Sequence, residues 1–349
     1  MTVYLGCYTD SGHSNGLKAL RVDQASGQMD VVAEYPVSNA LYQALSPDGT
    51  VLYSCTGEGL ASFEVVRNGE WGTGNGERGL RKIDAVKLGD CVCHVAAMPD
   101  GKSVVFADYL GGFAGSVAVE NGKFGETVMH RHSGSGPNLP RQEKAHCHQA
   151  LPTPDGKGYC VTDLGLDQIV EYPSGRVFQT SPAGAGPRHL LFHPNGRFAF
   201  LVSELGNLVS SLSWSPGKGF DIVDTTSTIN ASSASLRLCV KSDPNHIAAA
   251  IRFTPDMKRI VVSNRGEDSL AVYDFDSATG SLAFKARTFL SGSWPRDFMF
   301  VSDVLALVAL ERSGEVHMLR YDAATGGFEK VTTLGGLFRP VALCKGVVQ

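Results

Sequence analysis

The chain has 349 residues, of which 43% are hydrophobic and 19% are charged, and this composition excludes a disordered protein. Its formal net charge of -4 excludes a global positive field for holding a nucleic-acid backbone, so no nucleic-acid partner is expected. The 40 glycines and 16 prolines are scattered along the chain, which favours short strands and turns over long helices.

The N-terminus and the cysteines indicate a cytoplasmic protein. The opening sequence MTVYLGCYTD lacks the basic start and apolar stretch of a secretory signal. No apolar run is long enough to span a bilayer, so no membrane partner is expected. The eight cysteines stand far apart, at positions 7, 55, 91, 93, 147, 160, 239 and 344. Without a C-x-x-C pair, this spacing favours reduced thiols over a disulfide framework.

The first predicted elements are three strands, at Val3–Tyr8, Leu17–Val22 and Met29–Tyr35. A turn signal then recurs five times between apolar stretches. Its copies are Ser46-Pro47-Asp48-Gly49, Met98-Pro99-Asp100-Gly101, Thr153-Pro154-Asp155-Gly156, His193-Pro194-Asn195-Gly196 and Thr254-Pro255-Asp256-Met257. Successive prolines are 52, 55, 40 and 61 residues apart. Such turns join hairpins, because proline presets its own φ and the residues after it tolerate turn conformations.

A strand follows each copy of the turn. These strands are predicted at Thr50–Cys55, Ser103–Asp108, Gly158–Asp163, Phe198–Ser203 and Arg259–Asn264, and a degenerate sixth copy lies at 299–303. About four short strands in a period near 50 residues are typical of a propeller blade. The C-terminal strand Pro340–Lys345 has no partner of its own, whereas the N-terminal unit lacks an innermost strand.

We therefore predict an all-β, seven-bladed β-propeller with four-stranded antiparallel blades. The ring closes by pairing of the C-terminal strand with the N-terminal blade, and residues 1–349 form a single domain. The alternative is two separate all-β domains with coincidental turns.

The repeat register also predicts which side chains meet at the central channel. The first strand of a blade lines the channel and the second runs back, so the start of one and the end of the other share a face. Counting from each turn proline, or from Ser302 in the degenerate copy, brings six residues to this face: His148, Asp163, Arg188, Glu204, Arg265 and Arg296. Three crowded arginines need compensation by carboxylates or by a bound anion. The alternative is a self-contained ion-pair network that holds adjacent blades together.

These residues belong to longer motifs. The motifs are Tyr4-Leu5-Gly6-Cys7-Tyr8-Thr9, Arg141-Gln142, His146-Cys147-His148, Thr162-Asp163-Leu164-Gly165-Leu166-Asp167, Gly186-Pro187-Arg188-His189, Ser203-Glu204-Leu205, Ser263-Asn264-Arg265-Gly266 and Trp294-Pro295-Arg296-Asp297-Phe298. Together they resemble the bacterial 6-phosphogluconolactonase (lactonase) family over nearly the whole chain, most weakly between Glu64 and Val92. The chain departs from the family at Cys7, where threonine is usual. The resemblance implies a seven-bladed propeller that hydrolyses a sugar δ-lactone. The most specific expectation is conversion of 6-phospho-D-glucono-1,5-lactone to 6-phosphogluconate in the oxidative pentose phosphate pathway.

The same motifs are similar to those of the fungal enzyme that cyclises 3-carboxy-cis,cis-muconate to a lactone. The histidine, two arginines and glutamate proposed for that enzyme fall on His148, Arg188, Arg265 and Glu204. Phosphate and carboxylate require the same arginines, so the sequence leaves hydrolase and cyclase chemistry open. A third alternative, a non-catalytic interaction platform, predicts a channel mouth free of clustered ionisable groups.

Lactone hydrolysis needs an activated water, a site for the developing oxyanion and a handle for the substrate's anionic group. Either His148 or Glu204 could act as the base, and Arg188 and Arg265 could stabilise the oxyanion. The residues expected to bind substrate are Arg141, His146, Asp163 and Arg296. The single G-x-S-x-G match, at residues 12–16, lies between two predicted strands and does not open a helix, which argues against the serine nucleophile that this motif carries at a strand-to-helix turn.

Two groups in the sequence have the ligand types of a metal site, His146-x-His148 and Cys91-x-Cys93-His94. Both spacings are weak signals, because any i, i+2 pair lies on one side of a strand. We therefore expect no metal and no cofactor. The expected partner is a small anionic lactone, and the sequence leaves the oligomeric state open.

Overall fold

The computed structural model of the chain describes residues 1–10, 12, 13, 15–67, 71, 79–229 and 245–346. Within these ranges every regular helix or strand is a β-strand, and none of the chain described there forms a helix suited to crossing a membrane. Cys239, one of the eight cysteines, lies outside the described residues.

The strands fall into seven groups, which we number as blades 1 to 7. Blade 1 contains β1 (Thr2–Cys7), β2 (Leu17–Val22), β3 (Met29–Tyr35) and the last strand, β27 (Pro340–Lys345). Blades 2 and 3 contain β4 (Gln43–Leu45), β5 (Val51–Cys55), β6 (Gly57–Val66), β7 (Gly79–Ala97), β8 (Ser103–Asp108), β9 (Phe113–Glu120) and β10 (Lys123–Arg131). Blade 4 contains β11 (Cys147–Pro152), β12 (Tyr159–Asp163), β13 (Gln168–Tyr172) and β14 (Arg176–Gln179).

The remaining three blades have the same organisation. Blade 5 contains β15 (Pro187–Phe192), β16 (Phe198–Ser203), β17 (Leu208–Ser215) and β18 (Gly219–Ser227). Blade 6 contains β19 (Ile247–Phe253), β20 (Arg259–Arg265), β21 (Ser269–Phe275) and β22 (Leu282–Phe289). Blade 7 contains β23 (Pro295–Phe300), β24 (Leu305–Leu310), β25 (Glu315–Tyr321) and β26 (Phe328–Leu334).

Neighbouring strands within each blade are antiparallel, as the sequence predicts. In blade 1 the order is β27-β1-β2-β3, so the C-terminal strand lies innermost and pairs with the N-terminal strand. One feature is not predicted. The 19-residue strand β7 pairs with β6 along its first half and with β8 along its second. Blades 2 and 3 therefore share one continuous seven-stranded sheet.

The five recurring turns share one geometry. In each, the backbone N–H of the fourth residue donates to the carbonyl of the first over 2.8–2.9 Å. That fourth residue has a positive φ between 59° and 69°, and it is glycine in four copies. Met257 takes this conformation in the fifth copy (φ 59°), although a side chain is disfavoured there. Each turn joins the innermost strand of a blade to its second strand and so fixes the register from which the channel residues were counted.

The core consists of hydrophobic clusters between adjacent blades. Seven clusters occur among the described residues, one at each of the seven interfaces of a closed ring. Successive residues of a central strand enter opposite clusters: Val104 faces blade 2 and Val105 faces blade 4. Because both faces of a blade are buried in this way, its central strands need continuous apolar runs.

Candidate active site

The innermost strands bulge where they reach one end of the channel. A register shift leaves one or two residues without a cross-strand partner in six of these strands. The residues without a partner are Cys93, His148, Arg188, Ala249, Ala250, Arg296 and Val341. A bulge turns its extra residue out of the regular ladder and re-aims the side chain. Five of these residues line a cavity of about 20 Å³ at the channel mouth, together with Leu41, Tyr42, His189 and Asp297.

Glu204 is the centre of the charged cluster at this mouth. It directly follows β16, and its backbone N–H donates to Gly186 O over 2.7 Å. Its Oε1 accepts a hydrogen bond from Arg141 Nη2 (2.7 Å). Its Oε2 accepts from Arg188 Nε (2.9 Å) and from Arg265 Nη2 (2.7 Å). One carboxylate therefore faces three cations, which leaves an excess of positive charge at the mouth, the opposite of what a non-catalytic platform predicts.

This arrangement determines the protonation of its members. Burial alone would raise the pKa of Glu204, but the cations of Arg265, Arg141 and Arg188 hold that pKa well below its ordinary value. Burial and the Arg265 cation lower the pKa of Arg188 to about 9, so Arg188 still carries its charge at neutral pH. Glu204 is thus a firmly ionised anchor for the arginines, and both of its carboxylate oxygens already accept hydrogen bonds from them.

His148 lies beside this cluster as a neutral imidazole. Burial, followed by the Arg188 cation, lowers its pKa well below the ordinary value. Its Nδ1 is buried and has no hydrogen-bond partner among the described residues. The imidazole ring lies 5.3 Å from that of His189 and 5.6 Å from the ring of Tyr109. At neutral pH His148 therefore has a lone pair available to accept a proton.

His146 contacts the same tyrosine. Its ring stacks on Tyr109 at 4.4 Å, its Nδ1 is 2.9 Å from Tyr109 O, and its Nε2 is 3.2 Å from both carboxylate oxygens of Glu143. The rings of His146 and His148 thus both contact the ring of Tyr109.

A second ionic cluster adjoins the first. Glu311 accepts hydrogen bonds from Arg296 Nη1 (3.1 Å) and from Arg339 Nη2 (2.7 Å), and both guanidinium groups lie over the ring of Tyr8. The side chains of Arg141, Arg296 and Arg339 are 34%, 20% and 39% exposed, against 4% for Arg188 and Arg265. A molecule entering the mouth therefore meets the outer three arginines first.

Sequence reasoning missed Glu311 and Arg339. Glu311 could have been found, because it follows Ser302 by the same nine residues that separate Pro154 from Asp163. Arg339 precedes the closing strand β27, which has no turn proline from which to count.

The hydrogen bonds of Asp163, a residue that the sequence predicts to bind substrate, do not involve the arginines. Its Oδ1 accepts hydrogen bonds from the backbone N–H groups of His146, Gly165 and Leu166, and its Oδ2 bonds to His132 Nδ1 (2.7 Å). The carboxylate is fully buried. Asp163 therefore anchors the turn after β12 and is not available to a ligand in the mouth.

Asp163 also belongs to a group of possible metal ligands, with His132 and Cys147, whose donor atoms lie within 4.8 Å of one another. In the part of the chain that the structure describes, this is the only such group of three. His132 and Asp163 already share a hydrogen bond, and burial raises the pKa of the Cys147 thiol well above its ordinary value. A hydrogen-bond network accounts for these contacts. The two metal-ligand patterns singled out in the sequence do not form groups of this kind.

Gly266 determines where the backbone carrying Arg265 can lie. Its φ is +86°, and an added Cβ would lie 1.5 Å from Asn245 O. We expect Gly266→Ala to lower the free energy of unfolding by more than about 3 kcal/mol, because strain and a backbone clash act together. Equilibrium denaturation measures this. The matched control is Gly217→Ala, where φ is +75° with no atom within 4 Å of the new Cβ, and it should cost about 1 kcal/mol. Equal losses would contradict the role of the close approach.

The comparisons with known proteins agree with this architecture. The sequence profile described as "Lactonase, 7-bladed beta-propeller" matches residues 2–341. A protein of Bacillus subtilis (strain 168) named 6-phosphogluconolactonase is 32% identical over 340 residues, which cover 93% of this chain and 92% of that protein.

Two solved structures are similar over nearly their full length. A putative 6-phosphogluconolactonase from Bacteroides fragilis NCTC 9343 superposes with a TM-score of 0.83 at 26% identity, over 98% of this chain and 97% of that one. A periplasmic gluconolactonase of Pseudomonas aeruginosa superposes with a TM-score of 0.85 at 25% identity, over 100% of this chain and 99% of that one.

Proposed function

The chain belongs to the lactonase family of seven-bladed β-propellers, and we propose that its reaction is hydrolysis of 6-phospho-D-glucono-1,5-lactone to 6-phosphogluconate in the oxidative pentose phosphate pathway. As a member of this family the chain is a lactone hydrolase. The observation that carries the choice of substrate is the excess of arginine over carboxylate around Glu204. Such an excess favours a substrate that brings its own negative charge.

The proposed reaction begins with His148 as general base. Water attacks the lactone carbonyl carbon while the neutral imidazole accepts one of its protons, and the carbonyl oxygen becomes an oxyanion. The positive field of Arg188 and Arg265, held in place by Glu204, stabilises that charge. The carbon–oxygen bond of the ring then breaks, and the imidazolium returns its proton to the ring oxygen. Lactones are activated esters, so these groups suffice without a covalent intermediate or a cofactor.

The outer arginines bind the phosphate in this proposal. Arg141 and Arg296 are partly exposed at the mouth, and guanidinium groups pair with phosphate oxygens through two donors. His146 contributes by stacking on the ring of Tyr109, whose hydroxyl accepts a hydrogen bond from Arg141. Asp163 is not among the residues proposed to bind substrate, because both of its carboxylate oxygens already take part in hydrogen bonds within the protein.

We also propose that the enzyme works in the cytoplasm as a small-molecule enzyme. The seven cysteines in the described ranges are all free thiols, which suits a reducing compartment.

His148→Asn should reduce kcat/KM for freshly prepared 6-phospho-D-glucono-1,5-lactone by about 10²–10⁴-fold, because a positioned general base is worth that much. Acid release is followed with and without a chelator. The matched control is His193→Thr, at the first position of a turn that carries threonine in two other blades, and its rate should equal that of the wild type.

The pH profile gives a second readout. Because the pKa of His148 is lowered, the wild-type kcat/KM should stay level as the pH falls through 6.5 and decline only below it. An unchanged rate in His148→Asn would remove this residue from the mechanism. Turnover of 3-carboxy-cis,cis-muconate by the wild type, with no lactone hydrolysis, would replace the proposed function by the cyclase reaction.

A further inference from the structure

Tyr109 contacts both histidines of the mouth through its ring. It directly follows β8, and its backbone N–H donates to Cys91 O over 2.9 Å. His146 stacks on one face of its ring at an interplanar angle of 20°, and His148 meets the ring nearly at right angles, at 81°. A side chain fixed on this many sides loses little further entropy when it makes a new contact.

The Tyr109 hydroxyl accepts one hydrogen bond and can still donate another. It accepts a hydrogen bond from Arg141 Nη2 over 3.1 Å, the same nitrogen that donates to Glu204 Oε1. Among the described residues its own hydrogen has no acceptor. Burial, followed by the charge of Glu204, raises the pKa of Tyr109, so the hydroxyl keeps its proton at neutral pH. A phenol polarised by an adjacent cation and free to donate is a strong hydrogen-bond donor.

The two buried arginines of the Glu204 cluster are poorly placed to contact the substrate directly. Arg188 and Arg265 are almost fully buried, and each already bonds to Glu204 and to a backbone carbonyl. Their positive charges act on the substrate without direct contact. A donor that touches the carbonyl oxygen has to come from the exposed layer of the mouth, where Arg141 and the Tyr109 hydroxyl meet.

We propose that Tyr109 is a further catalytic residue, whose hydroxyl donates a hydrogen bond to the lactone carbonyl oxygen as that oxygen becomes an oxyanion. This inference rests on the proposed lactone hydrolysis. No proton is transferred in the step: the water proton goes to His148 and then to the ring oxygen, and Tyr109 only stabilises the charge between these events. Its contribution is therefore larger in the transition state than in the bound substrate, and it appears in kcat.

A merely structural role predicts a different result. If Tyr109 only positions Arg141 for phosphate binding, loss of its hydroxyl weakens substrate binding, so KM rises while kcat is unchanged. The two roles are therefore separated by which constant changes.

The experiment compares Tyr109→Phe with Tyr321→Phe. Phenylalanine keeps the ring and its stacking and removes one oxygen atom. Tyr321 provides the matched control, because its hydroxyl also accepts a hydrogen bond from an arginine, Arg259 Nη1 at 2.8 Å, on strand β25 away from the mouth. Tyr109→Phe should lower kcat on 6-phospho-D-glucono-1,5-lactone by about 10²-fold with little change in KM, and Tyr321→Phe should match the wild type. A raised KM with unchanged kcat, or no change in either constant, would overturn the donor role and leave the proposed function standing.

Calorimetric binding supplies a readout that needs no turnover. A cyclic phosphonate analogue presents a tetrahedral, negatively charged group in place of the carbonyl. The corresponding lactam presents a planar, neutral carbonyl group. Tyr109→Phe should weaken binding of the phosphonate by about 10-fold or more and leave the lactam unchanged. Equal weakening of both would contradict the inference. A wild-type protein that hydrolyses no lactone would overturn the proposed function itself, and the inference with it.

Discussion

Glu204→Gln should lower the free energy of unfolding by about 3–5 kcal/mol, the usual result when one partner of a buried ion pair is removed. Arg188 and Arg265 are nearly inaccessible to water, and without the carboxylate both lose the counter-charge to which they bond directly. The same variant should lose lactone hydrolysis, because the arginines are no longer held beside His148. Denaturant titration gives the stability, and acid release gives the activity.

The control for this variant is Glu64→Gln. Glu64 pairs with Arg81 on the surface, where both side chains are more than 40% exposed, so its loss should cost less than about 1 kcal/mol. Inorganic phosphate should recover part of the stability lost in Glu204→Gln, because an anion that binds only the native state stabilises it. A loss under about 1 kcal/mol in Glu204→Gln would show that Glu204 is not the anchor described above.

Acidification should destabilise the protein steeply below pH 6.5. Burial lowers the pKa of three channel histidines, to about 3 for His94 and well below the ordinary value for His148 and His189. The unfolded chain then binds three protons that the native state does not, so stability is fully present above pH 6.5 and falls as the pH drops below it. Each histidine lowers the free energy of unfolding by up to about 1.4 kcal/mol for every pH unit below 6.5, which is about 4 kcal/mol per pH unit for the three together.

Denaturation midpoints measured between pH 7.5 and 5 test this expectation. Both ring nitrogens of His94 are buried without a hydrogen-bond partner of ordinary geometry among the described residues, and His94→Phe removes one titrating group. Its stability should fall with pH about one third less steeply than that of the wild type. The same slope in both proteins would show that His94 does not remain neutral in the folded state.

The residues counted from the turns coincide with the bulges of the innermost strands, because one local rule repeats. Each turn fixes the register of its own blade, so a constant count from the proline reaches the bulged residue without knowledge of the other blades. The same count cannot tell a carboxylate that pairs with the channel arginines from one that binds the backbone of its own turn. Asp163 and Glu204 differ by one residue in their distance from the turn, yet the first bonds to backbone N–H groups and the second to guanidinium groups.

The continuous strand β7 could not be read from the sequence for a related reason. Its segment Leu88-Gly89-Asp90 has the composition of a turn. A Cβ on Gly89 would lie 2.1 Å from Asp108 Oδ2, and the backbone N–H groups of Asp90 and Cys91 donate to that same carboxylate. The glycine thus permits a close approach to a distant residue, and no local pattern carries that information.

The bulges also have an evolutionary consequence. A side chain turned out of the ladder has no cross-strand partner in its own blade, so residues of different size and charge can occupy the equivalent place in different blades. Histidine, arginine, cysteine, alanine and valine all occupy such places in this one ring. The propeller therefore presents equivalent positions around one opening, and substitutions at these positions can change the chemistry of the opening while the strand pairing of each blade is kept.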